Sequence, residues 1–113
     1  MAARGEVVWT HDPFRDGGSN PRPWLVVANE ALPYPDEECI AVALTTTSLH
    51  RGSIRVPEDA WTRGRPSDRG HVLPWCVATV KTDVHVVGTQ GTLRPSFVER
   101  VVSALVAYLG RVE

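Results

Sequence analysis

The chain has 113 residues, of which 42% are hydrophobic and 22% are charged, and its formal net charge is −1. These values predict one globular domain, residues 1–113, and exclude a polycation that binds nucleic acid through its overall field. Because no apolar run approaches the roughly 18 residues that span a bilayer, and residues 1–8 lack the apolar region of a signal peptide, we expect a cytoplasmic protein without membrane contact.

The first strand is predicted over residues 5–10, where valine and tryptophan favour extended backbone. Residues 11–21 follow as a loop rich in proline, glycine and aspartate. This loop is too long for a tight hairpin turn, and loops of its length in compact domains are often functional. The next strand begins at Pro23 and is apolar on both faces through Ala28, which predicts a central, buried position in a sheet.

Arg22 immediately precedes this buried strand, so it is predicted at the rim of the sheet. A guanidinium there suits an anionic ligand such as phosphate; the alternative is a solvated surface arginine. The third strand, 39–46, has large aliphatic residues on one face and small residues on the other, and Thr45 is where the small face becomes polar. Because the start of one antiparallel strand lies beside the end of its partner, we expect Arg22 and Thr45 to meet below the loop 11–21. For Thr45 the alternative is a threonine that only caps backbone groups.

The second half of the chain is predicted to add short strands and one helix. Its segments are a turn at 51–52, a short strand 53–56, a helical turn 57–61, a mobile basic loop 62–70, a long strand 71–81 with an edge or bulge at Pro74, an extended piece 83–87, a strand 89–93 and a helix 95–109. The fold class is therefore mainly β with a C-terminal helix: a small, strongly bent antiparallel sheet or barrel.

The cysteines and histidines predict no metal site and no cofactor. Cys39 and Cys76 lie in apolar strands without close spacing, so both are expected to be buried, reduced thiols. The four histidines show no ligand spacing. The cations are eleven arginines and one lysine, which either serve phosphate binding through the planar guanidinium or reflect coding bias. Any nucleic-acid contact should come from a local arginine cluster.

An arginine beside a hydroxyl, under a flexible loop, can hold and polarise a phosphodiester. RNA supplies its own nucleophile, the 2′-hydroxyl, so a protein that positions it, stabilises the pentacoordinate phosphorane and moves protons needs no metal. Arg63, Arg65 and Arg69 in the predicted basic loop are candidates for phosphate-backbone contacts away from the cut. The alternative is a solvated surface loop.

Several motifs follow one another in an order that is specific as a set. They are Gly5-Glu6-Val7-Val8-Trp9 at the start, Asp12-Pro13 before a Gly/Ser loop, Arg22-Pro23-Trp24-Leu25-Val26-Val27, a strand from Ala41 to Thr45, a strand from Val72 to Lys81, Gly91-x-Leu93 and a terminal helix. Over nearly the whole chain this set resembles the MazF/PemK family of toxin ribonucleases.

The resemblance implies an SH3-like barrel, usually a homodimer, that cleaves single-stranded RNA without a metal and has a cognate antitoxin occupying its RNA groove. By position, Arg22 would be the catalytic cation that stabilises the phosphorane or acts as an acid, and Thr45 would be the hydroxyl that orients the scissile phosphate. The residues predicted to contact the substrate are His11, Asp12, Ser19, Asn20, Thr46, Arg63, Arg65 and Arg69.

Two departures from the family pattern bear on catalysis. Asn20 stands where many members have a glutamate, so proton transfer would fall to His11 or Asp12. At positions 81–82, Lys-Thr replaces the Arg-Thr that follows the long strand in many relatives. Two other functions therefore stay open: a non-catalytic RNA-binding or regulatory barrel, and a gyrase-poisoning toxin of the CcdB type.

Overall fold

The structure, a computed structural model, describes residues 2–11, 20–47, 50–64 and 70–110. These ranges contain seven strands, one 3-10 turn and two helices. In chain order the elements are β1 (Glu6–Thr10), β2 (Arg22–Val26), β3 (Glu38–Thr45), β4 (Ile54–Arg55), the 3-10 turn (Glu58–Ala60), β5 (Trp61–Arg63), β6 (His71–Lys81), α1 (Thr82–His85), β7 (Val86–Leu93) and α2 (Pro95–Leu109).

The seven strands form one antiparallel, curled sheet with the order β4-β6-β3-β2-β1-β7-β5. β2 lies at its centre, between β1 and β3, and Trp24, Leu25 and Val26 are all buried. This confirms the prediction of a central strand that is apolar on both faces. The mainly β fold with one C-terminal helix is confirmed as well.

The curled sheet has one apolar cluster on each face. Consecutive residues alternate between them, because side chains along a strand point to opposite sides. Val7 and Leu25 belong to the cluster on the side of α2, whereas Val8 and Trp24 belong to the cluster on the opposite side. Since Arg22 is two residues from Trp24, it projects on the side away from α2.

Helix α2 covers one face of the sheet and has the bounds that the sequence predicts. Its first residue is a proline, whose missing N–H would have no partner within the helix there. The helix ends where the N–H of Gly110 donates to the oxygen of Ala107. Burial of each large apolar side chain contributes about 1.5–3 kcal/mol, and the buried residues of this helix are Phe97, Val98, Val101 and Leu105.

Strand β6 is bent by a bulge at the predicted position. Val42 of β3 pairs with Val77, and the next residue of β3, Ala43, pairs with Leu73. Residues 74–76, which begin with the buried Pro74, therefore have no partner in β3. A proline cannot donate to the ladder, and a bulge bends the strand that carries it. This bend helps to curl the sheet.

The prediction of a mobile loop over residues 62–70 is wrong for its first residues. Thr62 and Arg63 belong to β5, and Arg63 pairs with Thr92 of β7. The close approach of β5 to β7 depends on Gly91, where a Cβ atom would lie 2.4 Å from the backbone oxygen of Arg63. Polar residues at an edge strand show no apolar alternation, so their pairing is not visible in the local sequence. Residues 65–69 lie outside the described ranges.

The prediction of extended backbone over residues 83–87 is also wrong for the first half of that segment. Residues Thr82–His85 form the helical turn α1, and β7 then runs without interruption through Gly88 and Gly91. The N–H of Lys81 donates to Nδ1 of His85 at 3.0 Å, which closes this turn. β7 is consequently longer than the predicted strand 89–93 and reaches both ends of β1.

Both cysteines are reduced thiols, as predicted, but they differ in burial. The prediction that both are buried is correct for Cys39 and wrong for Cys76, whose side chain is half-buried. Burial raises the pKa of the Cys39 thiol above its ordinary value, and the negative charge of Glu6 adds to that effect. In the part of the chain that the structure describes, no helix is long and apolar enough to cross a membrane.

Candidate active site

The register of the sheet places five polar residues side by side at one end. Thr10 of β1 pairs with Arg22 of β2, and Thr45 of β3 pairs with His71 of β6, which in turn pairs with Arg55 of β4. β2 and β3 pair through Trp24 and Ala43 and their neighbours. Continuing that register by two residues places Arg22 opposite Thr45. We call the set Thr10, Arg22, Thr45, His71 and Arg55 the polar row.

All members of the polar row lie on the face away from α2. Directly paired residues of antiparallel strands point to the same side of a sheet. The next residues inward on that face, Trp24 and Ala43, belong to the apolar cluster opposite α2. The polar row is therefore the hydrophilic end of an otherwise apolar face.

The members of the polar row differ in exposure. Thr10 is fully buried, and its hydroxyl donates to the backbone oxygen of His11 at 3.1 Å. Thr45 and His71 are half-buried, whereas Arg22 and Arg55 are exposed. Thr10 is therefore not accessible to a ligand, whereas the other four side chains are.

The Thr45 hydroxyl is oriented by the backbone that follows it. Its Oγ1 accepts the N–H of Thr47 at 3.1 Å, which is the strand-end capping that the sequence left open as an alternative. A hydroxyl has one proton to donate besides its acceptor lone pairs. The capping bond fixes the oxygen and leaves that proton to bind an anionic oxygen, so both roles are compatible.

Arg22 forms no ion pair with any carboxylate in the described ranges. The ion pairs there hold other cations: Arg4 with Glu99, Lys81 with Glu38 and Arg94 with Asp59. No carboxylate occurs in the polar row, so the row itself carries the positive charge of its two arginines. Pro23 restricts the backbone next to Arg22. The Arg22 guanidinium is thus an exposed cation next to a conformationally restricted stretch of backbone.

The other predicted contact residues divide into three groups. His11 and Asn20 are exposed and flank the ends of β1 and β2, and Thr46 directly follows Thr45, so these three adjoin the polar row. Arg63 is distant from it: its partner Thr92 lies six residues along β7 from Val86, the partner of Thr10, or roughly 20 Å of strand. The residues Asp12, Ser19, Arg65 and Arg69 lie outside the described ranges.

Sequence reasoning missed His71, Arg55 and Thr10 as members of the site. The signal for His71 was available, because it is the first residue of a correctly predicted long strand. Because the start of one antiparallel strand lies beside the end of its partner, the start of β6 lies beside the end of β3 once those two strands are known to pair. That pairing is a property of the topology, and the local sequence does not contain it.

A pocket of about 510 Å³ lies at the opposite end of β2 and β3. The N-terminal residues Ala2–Arg4, the segment from Ala28 to Leu32 and the start of β3 surround it. Its two charged strand neighbours, Glu38 and Lys81, bind each other at 2.6 Å. Within the described residues, no group of three histidine, cysteine, aspartate or glutamate side chains is placed to hold a metal ion.

Comparison with known families decides what kind of protein carries this site. Residues 3–109 match the model of the PemK-like, MazF-like toxins of type II toxin–antitoxin systems. The chain belongs to this family. A search of curated proteins finds no significant match.

Solved structures agree with this assignment. An endoribonuclease from a mycobacterial species, in complex with its cognate antitoxin, is 26% identical, with a TM-score of 0.66 over 100% of this chain and 99% of the other. A second mycobacterial endoribonuclease is also 26% identical, with a TM-score of 0.63 over 96% and 91%. MazF from Deinococcus radiodurans shares the fold with a TM-score of 0.74 at 16% identity, over 97% of each chain.

Proposed function

We propose that this PemK/MazF-like toxin is an endoribonuclease that cleaves single-stranded RNA at selected sequences without a metal ion. The observation that carries the proposal is the register that places the exposed Arg22 beside Thr45 on an open, polar end of the sheet. Family membership and the similarity to two mycobacterial endoribonucleases support it. The same similarity favours RNA cleavage over gyrase poisoning and over a non-catalytic RNA-binding barrel.

The reaction needs only groups that the RNA and this site supply. The 2′-oxygen attacks the adjacent phosphorus, the O2′–P bond forms and the P–O5′ bond breaks, which gives a 2′,3′-cyclic phosphate and a 5′-hydroxyl. Negative charge develops on the non-bridging oxygens of the phosphorane. Arg22 donates two parallel N–H groups to those oxygens, and the Thr45 hydroxyl donates a third hydrogen bond. Loss of one such donor typically lowers a rate by about 10²–10³-fold.

The remaining predicted residues would hold the RNA on either side of the cut. His11, Asn20 and Thr46 adjoin the polar row, so they would contact the nucleotides next to the scissile phosphate, together with Asp12 and Ser19 of the predicted loop. Arg63 lies about 20 Å of strand away, and with Arg65 and Arg69 it would bind the phosphate backbone at a distance. These contacts would position the substrate and contribute to sequence selection.

Partner proteins are part of the proposal. A 26% identical mycobacterial relative is solved with its cognate antitoxin, which supports an antitoxin for this chain. Exposed apolar side chains favour protein contacts, and Trp75, Val77, Tyr108 and Leu109 are between 37% and 73% exposed on β6 and α2. We therefore propose a cytoplasmic homodimer in which the single domain 1–113 carries the activity.

The direct test is cleavage of a long single-stranded RNA by purified, antitoxin-free protein in EDTA. We expect discrete cuts that leave 5′-hydroxyl and 2′,3′-cyclic phosphate ends. Arg22→Ala should lower the rate by at least about 10²-fold with little change in Tm, because Arg22 is exposed. Arg100→Ala, which removes an exposed arginine of α2 outside the polar row, is the matched control and should cleave like the wild type.

Two results would contradict the proposal. One is the absence of cleavage by folded wild-type protein on several unrelated RNAs in EDTA and in magnesium. The other is cleavage by Arg22→Ala at the rate of Arg100→Ala, since the site would then lie elsewhere. Cleavage that requires magnesium would contradict only the metal-independent mechanism.

A further inference from the structure

We infer that His71 is a further catalytic residue of this site, the general base that takes the proton from the 2′-hydroxyl of the RNA. The inference rests on the proposed function and adds the proton acceptor that the reaction requires. Proton transfer by a positioned side chain typically contributes 10²–10⁴-fold to a rate. Histidine is the side chain whose charge ordinarily changes between pH 5 and 8.

The position of His71 is fixed by three strands. It is the first residue of β6, and it pairs with Thr45 of β3 on one side and with Arg55 of β4 on the other. Directly paired residues of antiparallel strands have Cα atoms about 4.5–5.5 Å apart. A phosphate bound at Thr45 therefore has Arg22 one strand away on one side and His71 one strand away on the other.

This arrangement separates the two chemical tasks of the reaction. Attack and departure occur on opposite sides of the phosphorus, so groups on either side of Thr45 can act on different oxygens. Arg22 is permanently charged and donates hydrogen bonds, but arginine cannot accept a proton in a protein. Among the described members of the polar row, His71 alone has a neutral form with a basic nitrogen. Its place beside Thr45 gives that nitrogen access to the 2′-oxygen.

His71 fits this role better than His11, which adjoins the opposite end of the polar row. His11 follows Thr10 on β1, so two strand spacings separate it from Thr45, compared with one for His71. On the strands next to His71, the described charged neighbour is Arg55, while Thr45 is uncharged. Arg55 is suited to binding an RNA phosphate, which would bring the substrate over the imidazole.

The proton and electron pairs balance without a further reagent. A ring nitrogen of neutral His71 takes the 2′-hydroxyl proton while the 2′-oxygen uses its electron pair to form the bond to phosphorus. The P–O5′ bond breaks with its electron pair on the 5′-oxygen, which takes a proton from solvent water. The imidazolium then returns its proton to solvent, so the protein is unchanged after one cycle.

The test compares single-turnover cleavage by His71→Gln with cleavage by His50→Gln, which changes an exposed histidine outside the polar row. We expect His71→Gln to lose about 10²–10⁴-fold in rate and to bind non-cleavable 2′-O-methyl RNA within about threefold of the wild type. The wild-type rate should fall at acidic pH, where imidazole is protonated, and this fall should be absent in His71→Gln. His50→Gln should keep the wild-type rate and pH profile.

Chemical rescue distinguishes a proton acceptor from a residue that only supports the fold. Added imidazole should raise the rate of His71→Ala with increasing pH and should not affect the wild type. A rate for His71→Gln within about threefold of His50→Gln, an unchanged pH profile, or the absence of rescue in folded His71→Ala would overturn the role of His71. Failure of the proposed function looks different, because the wild type itself would then leave every RNA intact.

Discussion

Both ends of the β2–β3 pair carry cationic side chains, but the two ends differ in whether a carboxylate binds those cations. At the end near the pocket, Lys81 binds Glu38, and nearby Arg4 binds Glu99. At the other end, Arg22 and Arg55 are exposed in a row that contains no carboxylate. A cation that a carboxylate already neutralises supports local structure, whereas a cation without one attracts an anionic ligand. Within the described residues, this difference supports our proposal that phosphate binds at the polar row and not at the pocket.

The largest difference in cleavage rate between the two ends is expected from a matched pair of threonine variants. At the polar row, the Thr45 hydroxyl oxygen accepts the N–H of Thr47, and near the other end the Thr82 hydroxyl donates to the backbone oxygen of Asp36 at 3.2 Å, so each threonine makes one bond to the backbone. Thr45→Val should lower the cleavage rate by about 10²-fold. Thr82→Val should leave it unchanged, since its hydroxyl serves only the backbone.

Both threonine variants lose one hydrogen bond that is partly exposed, so each should cost about 1 kcal/mol of unfolding free energy. Denaturant unfolding measures this cost, and single-turnover kinetics measures cleavage. Equal losses of activity in the two variants would show that stability, and not the position of Thr45, controls the rate. The contrast between the two ends would then have no functional meaning.

A smaller effect, on RNA binding, is expected when one cation at each end is replaced by alanine. Arg55→Ala should weaken binding of 2′-O-methyl RNA several-fold and reduce the salt dependence of log K by about 0.7, the value for one phosphate contact of a single strand. Lys81→Ala should leave that slope unchanged. The hydrogen bond and the charge of Glu38 raise the pKa of Lys81, so this lysine stays paired and charged at neutral pH. Titrations at several salt concentrations test both variants, and a lower slope in Lys81→Ala would contradict the assignment.

The sequence predicted those parts of the fold that depend on local patterns. The two apolar faces of β2, the helical stripe of α2 and the bulge at Pro74 follow from periodicity and from the missing N–H of proline. The placement of Arg22 beside Thr45 needed only the geometry of one hairpin. Each of these inferences uses residues close together in the chain or on two consecutive strands.

The parts that the sequence did not predict depend on distant contacts. Arg63 lies in β5 because Gly91 lets that strand approach β7, and nothing in the polar segment 62–64 indicates a partner some 30 residues later. His71 joins the polar row through the pairing of β6 with β3, which only the topology defines. A strand can be recognised from its own residues, but a site made by several strands requires their order.

The central claim is that Arg22 and Thr45 act on one phosphate, and a double-mutant cycle tests it most directly. Single-turnover cleavage rates in EDTA are compared for the wild type, Arg22→Ala, Thr45→Val and the double variant. If both side chains stabilise the same phosphorane, the double variant should lose far less than the product of the two single losses. Losses that multiply would mean that the two residues act independently, and this would contradict a shared phosphate site at the polar row.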